Sequence, residues 1–207
     1  MTEVLGVVLA GGLATRMGGG DKGLLHLQGQ PILDHVLARL RPQVNAIVLN
    51  ANGDPDRFSA YDLPVVPDSK DGFLGPLAGV LAAMEYAQES GHEWVVSVAA
   101  DTPFFPRTLV DDLQAATHWP DAPVALAASL DESENRFMRH PTFGLWHVSL
   151  AGALAEALDD GVRKIVRWTD SVGGVEVRFE RSLGAVDPFF NVNTPDDLAQ
   201  AERVKAD

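Results

Sequence analysis

The stretch Leu9-Ala10-Gly11-Gly12-Leu13-Ala14-Thr15-Arg16-Met17-Gly18-Gly19-Gly20-Asp21-Lys22-Gly23 concentrates the residue types that hold an anion. Glycines let a backbone approach a ligand closely, and successive loop N–H groups can form a concave nest for phosphate oxygens. Arg16 can grip a phosphate through two nitrogens, while Lys22 adds a mobile point charge. The competing reading is a glycine-rich surface loop without a ligand. Charge placement favours the ligand. The chain carries a formal net charge of −13, and between residues 71 and 135 its only Lys or Arg is Arg107.

Spacing excludes two other phosphate-binding motifs. Gly18-Gly19-Gly20-Asp21-Lys22-Gly23 matches the dinucleotide pattern G-x-G-x-x-G literally, but it lies too far beyond the first apolar run and opens no clear helix. A P-loop needs Gly-Lys-Ser/Thr, whereas Lys22 stands between Asp21 and Gly23.

The other candidates are carboxylates and amides. Asp101, followed by Thr102-Pro103, can hold a hard cation such as Mg²⁺, which takes oxygen ligands, or it can be a turn or N-cap residue. Asn50 could read a base or sugar edge, and Asp68, after Val65-Val66-Pro67, could accept hydrogen bonds from a base; both types also occur in ordinary turns. Asn191 and Asn193 flank Val192, so on an extended chain both amides face one side.

These residues need a scaffold, and the apolar pattern supplies an alternation of strands and helices. Strands are predicted at 4–9, 46–51, 94–100, 124–129, 142–147 and 175–179. Helices are predicted at 31–40, 75–90, about 107–117, 149–158 and 195–205. The last has Thr194 as N-cap, Pro195 in its first turn and Asp197 near the positive end of the dipole. Such alternation predicts a mostly parallel sheet covered on both faces, with ligands gathered beyond the carboxyl ends of its strands. Asn50 and Asp101 lie at such ends.

Composition removes several function classes. The 207 residues include no cysteine, so thiolate chemistry, disulfides and Cys-ligated metals are excluded. Six histidines show no metal-ligand spacing, and no serine sits in G-x-S-x-G. So acidic a chain lacks the basic footprint of a nucleic-acid binder. No apolar run reaches the length of a membrane helix, and Met1-Thr2-Glu3 does not begin a signal peptide, so the expected location is the cytoplasm. Asp131-Glu132-Ser133-Glu134 reads as a solvated loop, and Met17, Trp94 and Trp168 read as packing residues.

The first loop resembles the nucleotidyltransferase signature L-A-G-G, R-M-G and D-K. With Val48-Leu49-Asn50-Ala51-Asn52, Pro67-Asp68, Gly75-Pro76-Leu77-Ala78-Gly79, Asp101-Thr102-Pro103, His140-Pro141-Thr142 and Asn191-Val192-Asn193-Thr194-Pro195, the chain resembles the molybdenum cofactor guanylyltransferases. These segments run in the family's order over nearly the whole chain. Three positions depart from it: Leu13 and Gly53 stand where members often carry a basic residue and an Arg, and Ala100 stands where a Cys is familiar.

The resemblance implies a single Rossmann-like three-layer α/β domain over 1–207 with a mostly parallel sheet, its nucleotide part about 1–105 and its second-substrate part about 106–207. It implies transfer of GMP from GTP to molybdopterin, releasing pyrophosphate, with Mg²⁺ on Asp101. Lys22 would act at the α-phosphate and Arg16 on the departing pyrophosphate. Leu9, Ala10, Gly11 and Gly12 would contact the nucleotide through the backbone. Asn50 and Asp68 would meet the base, and Asn191 and Asn193 would complete the second-substrate site and the metal site. Family members also work with proteins that carry the molybdenum cofactor, although no feature here marks an interface. Other readings stay open at this stage: a cytidylyl- or sugar-phosphate nucleotidyltransferase, a dinucleotide-dependent dehydrogenase, and a nucleotide sensor without catalysis.

Overall fold

A computed structural model describes residues 3–11, 21–70, 72, 75–131, 134–180 and 186–204. In chain order the elements are β1 (Val4–Leu9), β2 (His26–Leu27), β3 (Gln30–Pro31), α1 (Ile32–Leu40), β4 (Ala46–Asn50), β5 (Val65–Val66), α2 (Pro76–Ser90) and β6 (Trp94–Ala99). There follow α3 (Leu109–Ala116), β7 (Val124–Asp131), β8 (Arg136–His147), α4 (Ala151–Asp159), α5 (Ile165–Ser171), β9 (Val175–Phe179) and α6 (Pro195–Ala201).

The main sheet has the order β5-β4-β1-β6-β8-β7-β9, with β2 and β3 forming a separate hairpin. Only β8 runs against its neighbours, pairing antiparallel with both β6 and β7. All other strands of the main sheet therefore point one way, and a single edge collects their carboxyl ends. From β1 the chain moves to β4 and β5 on one side, then returns to β6 on the other. That reversal opens a crevice between β1 and β6, the usual ligand position in such sheets.

The apolar alternation of the strands fills both faces. On one side Val8, Leu49, Val96, Ala125 and Ala127 pack with α1 and α3. On the other, Leu5, Val7, Val48, Val95 and Leu126 pack with α2, α4 and α5. The three-layer expectation therefore matches the molecule. Helix α2 shows both expected end signals, Pro76 in its first turn and Gly91 in the left-handed conformation after its end. Helix α6 carries the capping box between Thr194 and Asp197. Trp94 and Trp168 are buried packing residues; Met17 lies outside the described residues.

Several boundaries differ from expectation. Strand β8 starts at Arg136 rather than 142, because its first half pairs with the end of β7 as an exposed hairpin arm without an apolar run. The register slips between Leu126 and Ala128, and Pro141 falls within the slipped stretch, where a residue lacking an N–H costs no ladder bond. Asp131 ends β7 instead of opening a free loop, and its carboxylate accepts from the Glu134 N–H at 3.3 Å. Helix α5 had no long periodic signature; its buried Ile165, Trp168 and Thr169 span barely more than one turn. The β2–β3 hairpin, absent from the predicted elements, turns at Gln28 and Gly29, both with positive φ. The final helix stops at Ala201 rather than 205.

Candidate active site

Strand ends bring the sequence candidates to one edge. The β1 ladder continues past its last residue, since Ala10 N–H donates to Asn50 C=O at 2.8 Å and Ala100 N–H donates to Leu9 C=O at 3.2 Å. Leu9 and Ala10 thus lie between Asn50 and Asp101, with Gly11 exposed just beyond. Gly12 and Arg16 lie outside the described residues.

Lys22 opens a 3₁₀ turn, Lys22–Leu24, that rests on the end of β6. A Cβ at Gly23 would stand 3.3 Å from the Ala100 methyl, so two small residues let this turn settle close to Asp101. The Lys22 ammonium is 3.2 Å from Asp101 Oδ2 and also donates to the Asn193 amide oxygen. Thr102, fully buried, places its hydroxyl between Asp101 Oδ1, at 3.2 Å, and the Asn191 amide oxygen. Val192 is buried, and its N–H donates to the Asp101 carbonyl at 2.8 Å. Val192 packs in the core, and the amides on either side meet Thr102 and Lys22, the two side chains that hydrogen-bond the Asp101 carboxylate.

The second half of the site lies at the ends of β4 and β5. Asn50 is buried, and its amide donates to Asp68 Oδ1 at 2.9 Å and to Val66 C=O at 3.1 Å. Asn52 donates to Asp68 Oδ2 at 2.8 Å and accepts from the Asp68 N–H at 2.9 Å. Both carboxylate oxygens are therefore engaged, each keeping a further lone pair for a donor from outside. Helix α2 presses on this arrangement. A Cβ at Gly79 would lie 2.1 Å from Asn50 Oδ1 and 2.9 Å from Leu9 Cδ2, so only glycine permits the approach.

Arg57 links the two halves and was not among the expected site residues. It lies in the 3₁₀ segment Pro55–Tyr61, forms an ion pair with Asp21 at 2.7 Å, and donates to Asn52 C=O at 2.7 Å. The residue before Lys22 is thereby tied to the residue that braces Asp68. Nothing local announces this role, because its partners are 36 positions upstream and 5 upstream of Arg57. Thr102 was not a site candidate either, since its bond to Asn191 depends on a segment 89 positions away.

Among the described residues no three His, Asp or Glu side chains converge as a metal cage. Asp101, with the neutral oxygens of Asn191 and Asn193 nearby, offers one charged and two uncharged hard donors. This set suits a cation that keeps several waters and takes its remaining oxygens from substrate phosphates. The lysine ammonium now seated between Asp101 and Asn193 shows that the position accepts positive charge.

Residues 6–172 match the family model of the MobA-like NTP transferase domain. The chain belongs to the MobA-like NTP transferases. It is 48% identical to the molybdenum cofactor guanylyltransferase of Nitrobacter hamburgensis, covering 97% of this chain and 94% of that one. It is 47% identical to the enzyme of the same name from Mesorhizobium japonicum, covering 98% and 96%. The crystal structure of molybdopterin-guanine dinucleotide biosynthesis protein A from Archaeoglobus fulgidus superposes with a TM-score of 0.70 at 25% identity, covering 96% of each chain. As a MobA-like NTP transferase the chain is a nucleotidyltransferase, and Lys22, Asp101 and Asn193 lie beyond the carboxyl ends of its parallel strands, the usual ligand position in such sheets. The family uses a divalent metal, which the Asp101 donor set can accommodate.

The contact at Gly79 generates a test. An alanine in a helix interior normally gains about 1 kcal/mol over glycine. Here the added methyl overlaps Asn50, and overpacking of this kind costs about 1–3 kcal/mol. Gly79→Ala is expected to lower stability in urea unfolding and to release the Asn50 side-chain amide from Asp68, seen as a shift of its NMR resonances. A variant more stable than the parent, with Asn50 unmoved, would show that α2 yields instead.

Proposed function

We propose that this nucleotidyltransferase transfers GMP from GTP to molybdopterin, forming the guanine dinucleotide and pyrophosphate, with Mg²⁺ as the metal. One observation carries the reading. The crevice has a cation-seeking end, built by Lys22, Asp101 and Asn193, and an amide–carboxylate end at Asn50 and Asp68, with backbone from Leu9 to Gly11 between them. A nucleoside triphosphate has the matching polarity, a charged tail and a neutral hydrogen-bonding base. The names of the relatives support guanine and molybdopterin as the partners.

In this reading residues 1–105 hold the nucleotide and 106–207 supply much of the second-substrate site. Asp101, with Asn191 and Asn193, would hold the metal, which when bound supplies positive charge to phosphate oxygens. Lys22 turns from Asp101 and Asn193 toward the α-phosphate and stabilises the charge that builds there as the molybdopterin phosphate oxygen attacks. The bond from α-phosphorus to the bridging oxygen breaks, and pyrophosphate leaves with the electron pair. Arg16 steadies that leaving group. Such transfers need little covalent help, so positioning and charge neutralisation supply most of the rate. Because the nucleophile is already a phosphate anion, no general base is required. Proteins carrying the molybdenum cofactor are proposed partners, and the cytoplasm is the proposed location; no helix among the described residues is long and apolar enough to cross a membrane.

Two substitutions separate binding from chemistry. Asp101→Ala is expected to abolish pyrophosphate release while GTP binding stays measurable by calorimetry; full turnover in this variant would reject the metal assignment. Lys22→Ala removes a preorganised donor of a kind whose loss costs about 10²–10³ in rate. Its turnover is expected to fall by more than its GTP affinity, and normal turnover would return the loop to a structural role.

Base choice rests on Asp68. Guanine presents N1–H and a 2-amino group side by side, and a carboxylate can accept both. Asp68→Asn is expected to cut the preference for GTP over ATP and CTP by about 5- to 150-fold, the worth of a good bidentate base contact. If Asp68 serves only to brace Asn50 and Asn52, affinity for all three nucleotides falls together and the ratio stays constant.

A further inference from the structure

A serine, a histidine and an aspartate meet outside the crevice just described. Ser129, near the end of β7, is buried, and its hydroxyl lies 2.7 Å from His140 Nε2 and 2.7 Å from Asp187 Oδ2. The residue types suggest a nucleophilic triad, but the wiring does not. In a triad the histidine sits in the middle, taking the serine proton and leaning on the carboxylate. Here the serine is in the middle.

Proton counting then assigns every bond. A hydroxyl has one proton, and a carboxylate only accepts, so the Ser129 proton points to Asp187. His140 Nε2 must therefore carry a hydrogen and donate it to Ser129 Oγ. Burial lowers the His140 pKa against the opposing pull of Asp187, which favours the neutral ring. A serine that both accepts from His140 and donates to Asp187 has no free role as a nucleophile. It is a connector.

What it connects to is informative. Asp187 Oδ1 accepts from the Phe189 N–H at 2.7 Å, and Asp187 C=O accepts from the Phe190 N–H at 2.9 Å. Phe189 is buried against three rings, stacked on His140 at 4.3 Å and edge-on to Phe143 at 4.9 Å and Phe179 at 5.5 Å. Beyond it come Asn191, Val192 and Asn193. The ring contacts fix the depth of this segment but not its direction, because apolar contacts are non-directional. Direction comes from Asp187, whose turn sends the chain to Asp101, and Asp187 is aimed by Ser129 and His140.

We propose that Ser129, His140 and Asp187 form a positioning relay that aims the 187–193 segment and so sets Asn191 and Asn193 against Asp101 and Thr102. The relay places the bulged part of β8 in the service of the site, although Lys22 bonds Asp101 and Asn193 rather than any of its members. Its effect on catalysis rests on the proposed roles of Asn191 and Asn193; its effect on the segment does not.

The test separates these. In nucleotide-free protein, Ser129→Ala and His140→Leu are each expected to speed amide exchange at Phe189, Phe190 and Val192 by about tenfold or more, the scale of losing a hydrogen bond to a charged group. Amides of β1 and β6 should exchange as in the parent. His140→Gln, which can still present an Nε2–H to Ser129, should restore slow exchange, and the double variant Ser129→Ala/His140→Leu should be no worse than either single one. Unchanged exchange, or a uniform rise across the protein, would overturn the relay, the second by showing only a general loss of stability. With molybdopterin and GTP, Ser129→Ala should lower kcat/KM for molybdopterin about tenfold while GTP affinity is held. A local exchange effect with unaltered kcat/KM would leave the relay standing and reject the second-substrate role of the asparagines.

Discussion

The Lys22 ammonium sits among oxygens contributed by residues 79 and 171 positions further along the chain, Asp101 and Asn193. Every large feature of the fold contributes to that meeting. Parallel pairing of β1 with β6 puts Leu9 beside Ala99, and the next residues inherit the alignment. The 3₁₀ turn at Lys22 can reach Asp101 because Gly23 and Ala100 are small. The bond from Val192 N–H to Asp101 C=O then brings in a segment from the far end of the chain. The Asp101 carboxylate and the Asn193 amide oxygen share the Lys22 ammonium, whose positive charge offsets the repulsion between them, while the Asn191 amide oxygen is satisfied by the Thr102 hydroxyl.

The acidic surface sharpens this. With a formal charge of −13, the molecule offers little general attraction to a polyanion. In the proposed assignment, binding of a triphosphate must therefore come from local groups: loop N–H groups, Lys22, Arg16 and the charge of the metal. Such a site discriminates by geometry rather than by bulk field. The Arg57 contacts to Asp21 and Asn52 add to that local geometry, since they link the residue before Lys22 to the asparagine that bonds Asp68.

Rigidity at the other end of the crevice has a different origin. Asn50 is confined from below by its bond to Asp68 and from above by Gly79 of α2. An amide held on two sides presents a fixed donor and acceptor pattern, which a flexible surface asparagine would not. The fold shared with relatives from Nitrobacter and Mesorhizobium, and with the archaeal structure, supplies the sheet on which both ends are mounted.

Much of this was legible in the residues themselves. Apolar alternation located β1, β4, β6, β7 and β9, because buried strands need continuous apolar faces; Pro76, Gly91 and the Thr194–Asp197 pair marked helix ends, because capping is local chemistry. The glycine-rich loop, Asp101, and the two asparagines around Val192 could be singled out from residue type and spacing. Elements stabilised by remote partners could not. The first half of β8 exists because β7 pairs with it, and α5 exists because the sheet beneath buries Ile165 and Trp168. Arg57 and the Ser129–His140–Asp187 connection likewise had no local signature. Their members lie 36 residues apart in the first case, and 11 and 58 in the second. Sequence by itself determined which residues could do phosphate chemistry and which segments could be strands or helices, since those follow from side-chain type and short-range periodicity. Tertiary structure alone decided which of them meet, because that depends on strand order and on hydrogen bonds between segments that are distant along the chain.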